Sequence, residues 1–174
     1  MVAVAHRLEE LVRHSTGVVL ATPRERRSQW EELAGGKRIV TYTRLEIEAR
    51  IDGAGTGEVW VRTLGGAVDG IGQVVAGEAA LVLGERSIVF LTPAADGVLH
   101  VMGMAQGHYP LVASEPQNEG APRIERLVVS PSLGTLVARK GGVSAGATLA
   151  GKTAREAADL VREARRALDA KKPR

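Results

Sequence analysis

Positions 38–51 constrain the fold most. Ile39, Thr41, Thr43, Leu45, Ile47, Ala49 and Ile51 alternate strictly with Val40, Tyr42, Arg44, Glu46, Glu48 and Arg50. A two-residue period carried over seven inward positions, five apolar and two threonine, predicts one long, half-buried β-strand rather than a helix. A strand of this length has to bend to stay on one core, as strands do in a small barrel. Glu46 and Glu48 share the outer face with Arg44 and Arg50, which reads as a salt-laced surface rather than a pair of catalytic carboxylates.

The neighbouring segments fit the same plan. Val4, Leu8, Leu11 and Val12 recur at helical spacing, and Ser15-Thr16-Gly17 ends that helix. Residues 18–22 read as a short apolar strand cut by Pro23, followed by the charged run Arg24-Glu25-Arg26-Arg27 as a ragged strand or loop through Trp30. Gly35-Gly36 marks a turn, and Asp52 to Gly57 a loose hairpin. Further strands are expected over 58–64, 87–91, 98–104 (extended or bent by 107–111) and 124–129. Thr153-Ala154-Arg155-Glu156 is a capping box, and Ala157, Leu160, Val161, Ala164 and Leu168 form the stripe of a closing helix.

The expected fold is therefore mainly β: a small antiparallel OB-like β-barrel of about five to seven strands, flanked by an N-terminal and a C-terminal helix. The length of 174 residues suits one domain. Its core is expected over about 3–130, the C-terminal loop and helix over 131–170, and a tail over 171–174.

Charge is unevenly distributed. Residues 1–40, 41–120 and 121–174 carry +2, −6 and +7. The folded centre is acidic, and the cations gather in the last third without interleaved aromatics, so nucleic-acid binding is not the expected role. The absence of cysteine excludes a disulfide framework, a cysteine-ligated metal and a cysteine nucleophile. Of the four histidines, His100 and His108 lie close in sequence but without a paired carboxylate nearby, which makes a weak metal case, and no metal or cofactor is expected. No apolar run approaches the roughly 20 residues of a membrane helix, so no membrane insertion is expected. The start, Met1 to Arg7, lacks the parts of a signal peptide. Taken as it stands the chain would be cytoplasmic; with a leader already removed it would be secreted.

Two segments carry candidate sites. Gly65-Gly66, Asp69-Gly70 and Gly72-Gln73 form a glycine-rich loop that can let a partner approach the backbone. With Gln106, His108 and Tyr109 it is the expected binding surface, and a protein is the expected partner. The second segment runs from Gly146 to Gly151-Lys152-Thr153 and satisfies G-x-x-x-x-G-K-[ST]. In a phosphate-binding loop Lys152 would reach the β/γ-phosphates and Thr153 would hold magnesium. The residues before Gly146 make a poor central strand, and glycine loop plus N-cap explains the same letters. Nucleotide binding and OB-type nucleic-acid binding are the alternatives to a binding module. No serine lies in a G-x-S-x-G or S-x-x-K setting, so no catalytic residue is assigned.

Several stretches carry a family likeness: Gly17-Val18-Val19-Leu20, the 41–47 strand, Val61 to Gly66, Gly70-Ile71-Gly72, Gly77-Glu78, Gly84 to Leu91 and Gly103 to Gly107. Over residues 5–112, and again in the closing helix, the chain resembles a group of uncharacterised bacterial exported proteins of myxobacterial type. That resemblance implies export and a β-barrel. The expected shape is also similar to the OB barrel of netrin- and TIMP-like modules, some of which inhibit metalloproteases. Those inhibitors set an N-terminal cysteine on the catalytic zinc, so no inhibitory residue carries over to this chain.

Overall fold

The computed structural model describes residues 2–3, 5–53, 57–115, 118–135, 137–138 and 149–172. In chain order the elements are β1 (Val2–Ala3), α1 (Leu8–His14), β2 (Gly17–Leu33), β3 (Gly36–Asp52), β4 (Glu58–Leu64), β5 (Gly66–Val68), β6 (Ile71–Gln73), β7 (Ser87–Pro93), β8 (Leu99–Val101), β9 (His108–Ala113), β10 (Glu125–Leu127), β11 (Val137–Ala138) and α2 (Ala154–Ala170). The fold is mainly β with two helices, as expected. The strands are more numerous and several are shorter than the sequence suggests.

The long alternating strand is β3, and its partner β2 is equally long. Pro23 does not cut β2. The ladder to β7 ends at Ala21, so one edge of β2 is no longer paired when Pro23 arrives. The ladder to β3 shifts register between Pro23 and Glu25, a bulge that accommodates a residue without an N–H. Two further register shifts, at Val18/Val19 and Leu20/Ala21, bend the same strand. The inward positions of β3 are buried from Ile39 to Leu45, although Val40 on the other face is fully buried as well, and Ala49 is exposed between the register shifts.

The main sheet has the order β10-β9-β7-β2-β3-β4-β8, and β7 pairs with β8 as well. Most pairs are antiparallel, but β4 and β8 run parallel where Val61 meets Leu99, so the sheet is mixed. Strand direction explains this. β8 returns antiparallel to β7, β7 is antiparallel to β2, and β4 lies two antiparallel steps from β2, so β4 and β8 point the same way. β1 and β11 form a separate parallel pair.

The two-residue period of β2 and β7 divides the apolar side chains between two cores. Val18, Ile88 and Phe90 face α1 and α2, together with Leu11, Val12, Tyr109, Leu127, Ala157 and Val161. Val19, Ala21, Val89 and Leu91 face the other way, onto Leu45, Val61, Ala79, Leu81 and Val101. The second core is closed at one end by the irregular 74–86 segment, which lowers Ala79 and Leu81 into it. Arg165 of α2 joins the layers: it donates to the carbonyls of Val12 and Ser15 at the end of α1 and pairs with Asp52 at the end of β3. A cation over the last carbonyls of a helix also meets the negative end of its dipole.

The outer face of β2, β3 and β4 is covered by opposed charges. Arg44 pairs with Glu58 at 2.7 Å and Glu25 at 3.4 Å, Arg24 with Glu46 at 3.1 Å, and Arg62 with Asp96 at 2.6 Å and Glu31 at 3.3 Å. Glu48 pairs with Arg86. Trp60 lies beneath the Arg27 guanidinium and Trp30 beneath the Lys37 ammonium. No helix among the described residues is long and apolar enough to cross a membrane.

Candidate functional site

The glycine-rich segment is built onto the sheet by specific bonds. β5 and β6 form a small hairpin in which Gly66 faces Gln73. The Gly65 N–H donates to the Ile39 carbonyl, and the Ile39 N–H donates to Gln73 Oε1, both at 2.8 Å. The Thr41 hydroxyl donates to the Gly65 carbonyl at 2.7 Å, so the hydroxyl–hydroxyl contact with Ser28 at 2.8 Å uses the Ser28 proton. Gly66 has to be glycine: its φ is +133°, and a Cβ there would lie 2.3 Å from Thr41 Oγ1 and 2.6 Å from Ser28 Oγ. Farther along, the Gly84 N–H donates to the Pro23 carbonyl and the Ala105 N–H to the Gly77 carbonyl.

Between this segment and the inner face of β3 and β4 lies a cleft of about 320 Å³. Thr41, Thr43 and Thr63 belong to its lining, with Gly65, Gly66 and Gln73 on one side and Glu78 on another. Arg26 lies directly across the β2–β3 ladder from Thr43, shares its face, and also lines the cleft. The Arg26 side chain is exposed and has no hydrogen bond or ion pair among the described residues. Thr43 is only 1% exposed, and its hydroxyl, like those of Ser87 and Tyr109 and the His100 Nδ1, has no hydrogen-bond partner among the described residues. The Glu78 carboxylate accepts from the Leu64 N–H on one oxygen (3.2 Å) and from the Ala79 N–H on the other (3.1 Å). Burial nevertheless holds the Glu78 carboxyl above the ordinary glutamate range, against the pull of those two donors.

The expected binding surface therefore separates into three parts. Gly65, Gly66 and Gln73 line the cleft. Gly70 and Gly72 sit exposed at the tip of the β5–β6 hairpin, where a Cβ would meet nothing within 4 Å. Gln106, His108 and Tyr109 are buried, each at 1–2% exposure, and lie apart from the cleft lining. After Gly103, in the left-handed region, a 3-10 turn over Met104–Gly107 carries the chain inward, and β9 pairs with β7. Gln106 accepts from the His6 N–H at 2.8 Å, and Tyr109 packs on Phe90 in the helix-side core. His108 Nδ1 lies 3.2 Å from Ser130 Oγ. Both residues are about 1% exposed, and burial lowers the His108 pKa to about 4, so the ring is neutral at pH 7.

The phosphate-loop match is occupied by the helix it precedes. Thr153 is the N-cap of α2 and accepts from the Glu156 N–H, while Glu156 accepts from the Thr153 N–H at 2.7 Å. The amide end that would meet a phosphate thus holds the chain's own carboxylate. Lys152 is exposed, Gly151 has a φ of +78°, and Gly146 lies outside the described residues. Among the described residues no three metal-ligating side chains gather.

Sequence reasoning missed Arg26 and Glu78 as site residues and treated Thr41 and Thr43 only as inward positions. The one available signal was two threonines where the alternation otherwise calls for aliphatic residues. Set against protein-family models, curated proteins and solved structures, the chain matches none of them.

Proposed function

We propose that the chain is a non-catalytic binding module on an OB-like β-barrel, that it works outside the cytoplasm, and that the cleft over Thr43 takes its ligand. The barrel reading is supported by a circuit of pairings: β2 to β3, β3 to β4, β4 to β8, β8 to β7, and β7 back to β2. Five strands, an odd number, cannot alternate all the way round a ring, and the single parallel junction between β4 and β8 is what such a ring requires. The family resemblance over 5–112 supports export. A secreted peptidase is the associated activity that the likeness to netrin- and TIMP-like OB modules suggests.

The observation that carries the binding reading is the Thr43 hydroxyl. A buried hydroxyl without a partner costs roughly 1–3 kcal/mol. No hydrogen bond among the described residues uses it, and it adjoins a cleft of the roughly 300 Å³ or more typical of small-ligand sites. Nucleic acid is disfavoured because the arginines of the β2–β4 outer face are matched by carboxylates.

The test is Thr43→Val. Loss of the unpartnered hydroxyl is expected to stabilise the protein by about 1 kcal/mol. It is also expected to weaken retention of a small molecule from a culture-medium extract, read by native mass spectrometry and by amide shifts at residues 63–66 and 78–80. An extract that shifts none of those amides in the unaltered protein overturns the reading.

A further inference from the structure

Resting on that cleft as the binding site, we infer that its ligand is a small zwitterion of amino-acid type, with its carboxylate on Arg26, its ammonium on Glu78, and a polar atom at the Thr43 hydroxyl. The cleft brings together one cation and one carboxylate that do not pair with each other. The ion pairs of Arg24, Arg44 and Arg62 lie on the outer surface, whereas Arg26, exposed at the rim of the cleft and across the ladder from Thr43, has no ion pair among the described residues. A planar guanidinium is the donor best matched to a carboxylate.

Glu78 supplies the opposite pole. Each of its oxygens accepts one backbone N–H and keeps a further lone pair. A carboxylate desolvated this far is stabilised by a cation that enters with the ligand. Gln73 spends its carbonyl oxygen on Ile39, and its amide nitrogen makes no hydrogen bond among the described residues, so a second donor is available in the same cleft as Arg26. Leu64, Val74 and Leu81 give the same cleft an apolar wall, with Val74 95% exposed at the rim. That combination suits a compact zwitterion carrying a modest aliphatic side chain. A neutral polyol would leave both charges unmatched, and a simple anion would face Glu78. Hydrolysis of peptide bonds is the class of reaction that generates such ligands.

The experiment is calorimetric titration of the full chain with glycine, L-alanine and L-leucine, each beside its N-acetyl and carboxamide derivatives. The zwitterions are expected to bind, and each derivative to bind at least about ten-fold more weakly, one charged contact being lost. Arg26→Gln is expected to erase the difference between acid and carboxamide, and Arg26→Lys to restore part of it. Glu78→Gln is expected to erase the difference between free and acetylated amine. Should Glu78→Gln not fold, the derivative series on the unaltered protein carries the same test. Derivatives that bind as well as their parents overturn the inference. A medium extract that shifts the cleft amides while every zwitterion is silent overturns the inference and leaves the binding module standing. Silence from both overturns both.

Discussion

Acidification is expected to weaken the fold through His108. Its ring is enclosed at the start of β9, where the contact to Ser130 is neutral and the pKa falls to about 4 because burial penalises the imidazolium. An unfolded histidine titrates near 6.5, so protonating His108 in the fold costs about 3 kcal/mol more than in the unfolded chain. Its contribution is complete above about pH 6.5 and is lost as the pH falls through about 4. At pH 5 the unfolded form is almost fully protonated while the folded form is not, and about 2 kcal/mol is already gone. His100 is lowered too, by burial and then by Arg62, and acts in the same direction. Glu78, raised by burial, opposes them only where carboxyl groups begin to titrate. Urea unfolding of the parent and of His108→Gln at pH 7 and pH 5 isolates the effect. The glutamine variant should lose about 2 kcal/mol less across that interval. Equal losses in the two proteins, or a His108 ring resonance that titrates near 6.5, would refute the reasoning.

Three further outcomes follow from geometry already described. Gly66→Ala should destabilise by about 3 kcal/mol, since the new Cβ meets two hydroxyl oxygens at a positive φ, whereas Gly70→Ala, at φ +79° in open space, should lose only about 1 kcal/mol; equal midpoints in denaturant would contradict this. Arg165→Met should lose about 2 kcal/mol in the same assay and speed amide exchange at the end of α1, because two carbonyls and Asp52 lose a charged donor. Thr153→Ala should lose about 1 kcal/mol of stability, and magnesium with ATP should give a flat titration before and after Lys152→Ala; binding abolished by Lys152→Ala would restore the nucleotide reading.

Much of this architecture is legible locally. α2 announces itself through Thr153, Glu156 and a regular apolar stripe, and β3 through its alternation. Both signals lie within one element, where period and cap suffice. Pro23 misleads because its cost depends on whether a neighbouring strand needs its N–H, and the end of the β7 ladder is a tertiary fact. The 106–109 stretch misleads for a related reason. Its residues are polar and follow a glycine, which reads as surface, yet their partners are His6, a hundred residues back, and Ser130, 22 residues on. A buried polar side chain is recognisable only once such a partner is known.

The cleft follows the same logic one level up. Along the inner face of β3 and β4 the cross-strand pairs pass from Leu45 with Val59, through Thr43 with Val61, to Thr41 with Thr63. The apolar end of that series joins the buried core beneath Leu81, and the polar end lies under the glycine-rich segment. Thr41 repays its position structurally by holding Gly65 and Ser28, and Thr63 reaches the Thr41 carbonyl at 3.4 Å. Thr43 returns nothing to the fold, although valine would have its shape and would continue the apolar series. A residue that costs stability between a structural threonine and an apolar core, across from an arginine with no ion pair among the described residues, is what the proposed binding site would leave in a strand otherwise patterned for packing.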